Sequence, residues 1–374
     1  MKTLLSLILL SLFSSTVSAK VLRVGFFGPP IANTDYSNLT DAITAATAGD
    51  TVYCFPGSVT NSAYFLTKRL TLIGYGNWLS ASSTPKGNAN QQAFAGSVTI
   101  GSLFLEPGSS GSAIMGFNEG TIYLGQVNDI VIRRNRNLLV YLGWATPNIS
   151  LNNIQILENY MVTITQSTAN FTVTNLLISN NLIGYLALAD GNSASGIVSN
   201  NIWAHNGVLS ETDIQSSTHA IALAGGAFLF QNNIIASFTD ATPANNYNYF
   251  YFTGFTNTVF NYNVMIAGSN ATSFPPSGTG NIVVQSNNAQ NIFEGFPGIG
   301  SRSADDRWVL KAGSPALVAN RPGSTVNAGI FGGANPYKLS TIPPIPTIYQ
   351  LSSPSGSNPT GNSIQINVST RSNN

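Results

Sequence analysis

Charge is what this sequence has least of. Asp, Glu, Lys and Arg make up 8% of its 374 residues, about a third of the usual share. Without Lys2 the remaining basic and acidic side chains balance, which argues against nucleic acid and anionic membranes as partners. Between Arg136 and Arg302 there is neither lysine nor arginine. A lyase acting on uronic-acid polymers needs a cation or a held metal ion to neutralise the substrate carboxylate, and a base beside it. That gap, with no clustered aspartates to hold calcium, argues against such chemistry in the middle of the chain. Cysteine is almost absent too: Cys54 stands alone, so no internal disulfide forms and it is expected as a small buried apolar residue. The one long apolar run, Leu4 to Phe13, is too short to span a bilayer. No metal-ligand spacing, phosphate-cradling loop or Ser, His and Asp grouping occurs, so no cofactor and no metal are expected.

Asparagine and β-formers supply what charge does not. An apolar residue, two spacers, an asparagine, a spacer and usually another apolar residue recur seven times, placing Asn135, Asn159, Asn181, Asn201, Asn233, Asn263 and Asn287 in one register. The spacings are 24, 22, 20, 32, 30 and 24 residues. A period of about 20–24 residues suits a solenoid with one turn per repeat. The apolar sites are mixed Ile, Val, Phe and Leu, which does not suit a leucine lattice. Stacked Asn amides satisfy one another at a turn, so the pattern predicts an all-β, single-stranded right-handed parallel β-helix with the asparagines as a structural ladder.

The ends of the chain support the same architecture. Residues 1–19 read as an export signal, with Lys2, the apolar run and the small-residue site Val17-Ser18-Ala19. Leu39, Ala42, Ile43 and Ala46 fall on one helical face. Ser37 or Asn38 is placed to cap that helix and Gly49 to end it, and the helix is expected to plug the open end of the solenoid. The run from Asp35 to Val59, with Ala48-Gly49-Asp50-Thr51-Val52 and Pro56-Gly57, resembles the N-terminal cap and first coil of the pectin-lyase-like superfamily. Lys68 to Gly76 resembles its second coil. Leu310 to Ala316 and Ala328 to Gly333 resemble the closing coil of secreted bacterial β-helix proteins. The resemblance implies the fold; the superfamily's lyases, hydrolases, esterases and adhesins leave the activity open. The expected organisation is a signal peptide at 1–19, a capped β-helix at 20–335, and a proline-rich tail with a final strand at 336–374. Pro336 to Pro354 is expected to run extended along the wall, and Ser363 to Val368 to pair as an edge strand, either within the chain or with a partner.

The two long spacings mark loops pushed out from adjacent coils. The first holds Glu211, Asp213 and His219; the second holds Asp240 and the aromatic group Tyr247, Tyr249, Phe250, Tyr251 and Phe252. Carboxylates accept from sugar hydroxyls while flat rings cover the apolar face of a pyranose. Glu211, Asp213 and Asp240 are thus the catalytic candidates, and His219, Tyr247, Tyr249, Tyr251 and Arg133 the substrate-binding ones. Arg133, Arg134 and Arg136 form the only basic cluster; they are placed either to grip an acidic sugar or to pair with Asp129 or Glu158. The hydrolase-like phrases Asn33-Thr34-Asp35 and Asp305-Asp306 sit at opposite ends and read as turn or capping residues. Trp203 falls in register with Ile183 and Ile235 and reads as core.

The expectation is a secreted or cell-surface protein presenting an Asn-rich polar wall to a polysaccharide or cell-surface glycan, with no nucleic acid partner and no membrane span. Alternatives are a glycoside hydrolase, less so a polysaccharide lyase, and a structural surface protein that self-associates through its C-terminal strand.

Overall fold

The computed structural model of the chain describes residues 19–25, 35–79, 96–144, 148–166, 171–188, 193–204, 220–223, 226–236, 251–253, 257–267, 278–285, 291–295, 303–352 and 366–372. Within them the chain is all-β apart from one α-helix and a few short 3-10 turns. Two long parallel sheets of 11 and 12 strands face each other across a common core, a solenoid-like arrangement. Each coil lays one strand in the first sheet, turns at the Asn phrase, and lays the next in the second. Ser150–Leu157, Thr172–Ser179 and Ser193–Ser199 are successive strands of the first sheet, and Arg136–Leu142, Val162–Gln166 and Leu182–Leu188 of the second. Inward positions carry Ile, Val and Leu, as Ile132, Ile156 and Ile178 show at full burial. Period-two alternation sends their neighbours outward.

The turn between the sheets explains the asparagines. The residue before each ladder position is left-handed, with φ between 53° and 58° at Arg134, Glu158, Asn180, Asn200, Asn232 and Tyr262. That kink turns the next side chain inward. The Asn135 amide donates to Asn159 Oδ1, Asn159 to Asn181, Asn181 to Asn201, Asn201 to Asn233 and Asn233 to Asn263, all at 2.9–3.0 Å. One rung differs from expectation. Asn263 donates to Asn281 Oδ1 at 3.0 Å, because Val264 pairs with Ile282; Asn281, and not Asn287, therefore follows Asn263. The coil there is 18 residues long, so counting a longer period overshot it, and Asn287 lies outside the described residues.

At the N-terminal end, the helix Leu39–Ala45 is capped by Asn38, whose Oδ1 accepts from the Asp41 backbone at 2.8 Å. Its buried face is Leu39, Ala42 and Ile43. The helix ends at Ala46. Gly49, expected to end it, instead takes φ +99° in the turn into Thr51–Cys54. Lys68 Nζ donates to the Thr44 and Ala46 carbonyls, placing a cation at the negative end of the helix.

The segment expected as a closing coil does something else. Residues 303–345 contain no strand; they run back along the Asn turns as a strap. Asn232 Oδ1 accepts from Arg321 and Ser324, the Asn200 amide donates to the Asn327 carbonyl, and the Asn180 amide to those of Ile330 and Gly332. Arg134 then donates to the Ile342 carbonyl, and Asn77 to Thr341 Oγ1. Contacts therefore move steadily towards the N-terminal coils. Beneath the strap, Leu182, Ile202, Ile234 and Val264 form a second core with Ala316, Ala328, Ile330 and Tyr337. Asp305, expected as a turn or capping residue, stands in the turn before the 3-10 helix Asp306–Trp308 and is also a buried anchor: its carboxyl accepts from Ser303 Oγ, Tyr337 Oη and the Ser340 backbone N–H. The final strand, Asn367–Arg371, pairs antiparallel with Thr347–Ser352.

Candidate functional site

Most residues chosen from the loops fall outside what is described. Glu211, Asp213, His219, Asp240, Tyr247 and Tyr249 are in that group. Tyr251 begins the strand Tyr251–Thr253 and pairs with Ala220. The roots of both loops are described, and they coincide. The chain leaves the second sheet after Ala204 and after Ala236, which are register partners, and returns at Ala220 and Tyr251, which are partners too. Both insertions therefore rise from one place on the second sheet.

Arg133 is present but engaged. Its Nε donates to Glu158 Oε1 at 2.9 Å, with Nη2 on the same oxygen, and Arg134 Nε reaches Glu158 Oε2 at 2.6 Å. Glu158 is fully buried and Arg134 nearly so. A carboxylate so enclosed between two guanidinium groups is a structural pair, since removing either partner strands a buried charge. Arg136 lies 4.5 Å over the Trp78 ring, and Trp78 meets Tyr160 edge-on. Among the described residues no three of His, Cys, Asp and Glu come together, and no helix is long and apolar enough to cross a membrane. Trp203 packs in the core against Phe230, as its register implied.

A different surface emerges elsewhere on the second sheet, separated from the loop roots by the strands Val162–Gln166 and Leu182–Leu188. Phe65, Phe104, Tyr123 and Tyr141 are register partners on four consecutive strands of the second sheet, Gly57–Leu66, Val98–Leu105, Asn118–Leu124 and Arg136–Leu142. Parallel pairing in exact register lays their outward rings face to face, with centroids 4.9, 4.6 and 4.9 Å apart and planes within 14°. Trp144, from the turn after the fourth strand, leans on the flank 4.5 Å from Phe104. Burial pushes the Tyr123 hydroxyl pKa up, and Tyr141 beside it adds to the shift.

In such a pile the inner faces are spent on neighbouring rings, and only the two end faces are open. Among the described residues Gly57–Leu66 is the last strand of its sheet and no ring stacks on the outer side of Phe65, which is 49% exposed. At the other end Tyr141 pairs with Thr165, and among the described residues no further ring stacks on its far face. The neighbouring outward row on one side holds Ser102, Thr121, Leu139 and Thr163, three hydroxyls and no charge, while Glu106 follows two residues after Phe104 on the other. The sequence carried this signal: Tyr64-Phe65-Leu66, Leu103-Phe104-Leu105, Ile122-Tyr123-Leu124 and Val140-Tyr141-Leu142 repeat one apolar–aromatic–leucine phrase. No protein-family model matches the chain, and no curated protein matches it.

Proposed function

We propose that this is an exported right-handed parallel β-helix protein, its N-terminal helix closing the solenoid, that binds a glycan on the outer face of its second sheet. The observation that carries the reading is the in-register pile of Phe65, Phe104, Tyr123 and Tyr141 with its two open end faces. A pyranose presents apolar C–H groups on one face and hydroxyls around its rim, and an open ring bordered by Ser and Thr hydroxyls complements both. The absence of charge along the aromatic row and the hydroxyl row beside it favours an uncharged sugar over a uronate. The loop roots at Ala204 and Ala236 lie on the same sheet; Glu211, Asp213, Asp240, Tyr247 and Tyr249 lie outside the described residues and are candidates by sequence alone. Export is supported by the leader-like residues 1–19.

A glycan array tests this. Neutral glycans should bind, with Phe65→Ala and Tyr141→Ala each weakening binding at least tenfold while leaving the melting temperature nearly unchanged. Binding that ignores both substitutions would sink the reading. Product analysis on the same samples separates a binder from a glycoside hydrolase: released oligosaccharide that disappears in Glu211→Gln or Asp240→Asn would favour the enzyme. Self-association has one supporting observation, the two-stranded sheet of Thr347–Ser352 and Asn367–Arg371, which exposes Ile348 and Val368 and is too small to be stable without further packing. Sedimentation with and without residues 363–374 tests it.

A further inference from the structure

The backbone nitrogen of Lys20 lies 2.8 Å from Asp50 Oδ1. Asp50 is 1% exposed, and its other oxygen accepts from the Thr47 backbone N–H at 2.7 Å and Thr47 Oγ1 at 2.8 Å. Among the described residues its three hydrogen-bond donors are neutral groups, and the Lys20 charge nearby also favours the carboxylate. Burial opposes a carboxylate charge, and a charged donor in direct contact would favour it further than the neutral ones do. The small-residue cleavage site Val17-Ser18-Ala19 ends one residue before that nitrogen, and Ala19 and Lys20 are both exposed.

We propose that cleavage of the Ala19–Lys20 bond completes the fold, by turning the Lys20 nitrogen into an α-ammonium that forms an ion pair with Asp50. In that hydrolysis, water supplies a hydroxyl to the Ala19 carbonyl carbon and a proton to the Lys20 nitrogen, which takes a further proton from solvent. The reaction needs only water and a leader peptidase that accepts small residues. Lys20 is already held in place: its carbonyl accepts from the Thr51 N–H at 2.8 Å, and Val21–Val24 pairs along Thr51–Cys54. The new charge therefore arises at a prepared position. Asp50 also ends the turn after the helix and shares it with Thr47, so the pair ties together the first strand, the helix exit and the next strand. The precursor, with an amide at Lys20, lacks the charge and is the less stable form.

The test is a four-cornered comparison. The exported protein is first sequenced at its N-terminus, where Lys20 is expected as the first residue; any other start overturns the proposal. Melting temperatures are then compared for a chain beginning at Lys20 and a chain carrying a short uncharged extension that keeps Lys20 as an amide, each with Asp50 or with D50N. The extension should lower the melting temperature by several degrees when Asp50 is present and have little effect with D50N. An equal drop in both backgrounds overturns the proposal. If D50N does not fold, the α-amine of the native chain is titrated by NMR: a pKa raised above its ordinary value of about 8 upholds the ion pair, and an unshifted one refutes it.

Discussion

Asn159 gives two hydrogen bonds to a single oxygen of Asn181: its backbone N–H and its side-chain amide both reach Oδ1 at 2.9 Å. The same pair of donors converges on each following rung, so one side-chain oxygen satisfies a turn and a side chain of the coil before it.

Removing one rung should therefore be felt in the neighbouring coil. Asn181→Ala leaves the Asn159 N–H and amide without their acceptor in a fully buried site, for a loss of about 2–5 kcal/mol. Asn281→Ala, at the half-buried end of the ladder, should cost clearly less. Urea midpoints at constant slope check both; equal losses would mean that burial does not set the energetics of the ladder.

The preceding asparagines do a different job. The Asn180 amide donates to the Ile330 and Gly332 carbonyls at 2.8 and 2.7 Å. Asn180→Ala should cost about 1–2 kcal/mol and should open the strap before the coils. Hydrogen exchange is expected to rise first across 327–342, with the ladder amides still protected. Uniform loss of protection would contradict a separable strap.

Gly196 is required by space alone. A Cβ added there would lie 1.9 Å from the Leu176 carbonyl oxygen, in a pairing where the register shifts between Val173 and Leu176. Gly196→Ala is expected to destabilise by about 3 kcal/mol, as measured by denaturant titration. A neutral result would show that the two strands can part without cost.

Cys54 is fully buried, and burial pushes its thiol up to about 12. A thiol-specific reagent at pH 8 should leave it untouched in the native protein and modify one equivalent after denaturation. Fast reaction under native conditions would mean that the first coil opens readily.

Asp305 should give the protein an unusual pH response. Burial raises its carboxyl pKa, opposed by the hydrogen bonds from Ser303, Ser340 and Tyr337. Because the folded value lies above the unfolded one, this group's contribution is fully present below the ordinary carboxyl range and is lost as pH rises through the folded value. Asp50 carries the opposite sign: burial pushes its pKa up, but the hydrogen bonds from Lys20 and Thr47, together with the Lys20 charge, outweigh that and leave it lowered, so its contribution is lost on acidification. Melting temperature against pH should thus lose its falling limb in Asp305→Asn and keep the acid limb. An unchanged profile would remove Asp305 from the account.

Much of the fold was legible because a solenoid is built from local repeats. Asn135 to Asn263 and the alternating apolar residues each report a contact with the next coil, so a period along the chain becomes a neighbour in space. The aromatic pile is equally periodic, since Phe65, Phe104, Tyr123 and Tyr141 each stand one coil from the next. The doublets Asn180-Asn181, Asn200-Asn201 and Asn232-Asn233 show the limit. Their second members follow from periodicity, while their first members contact residues 127–152 positions away at Asn200 and Asn180, where no repeat exists to read.

The amino-acid pattern by itself determined the parallel coils, the buried Asn ladder, a helix capped at Ser37 or Asn38 and the buried state of Cys54 and Trp203, since each depends on neighbours one coil or a few residues away. Only the tertiary structure decided that residues 303–345 return as a strap, that Asn281 takes the rung after Asn263, that Arg133 and Arg134 are spent on Glu158, and that four rings meet face to face. Those outcomes depend on coil length, strand register and long-range return of the chain. They are set by which backbone groups can find partners once the whole solenoid has stacked.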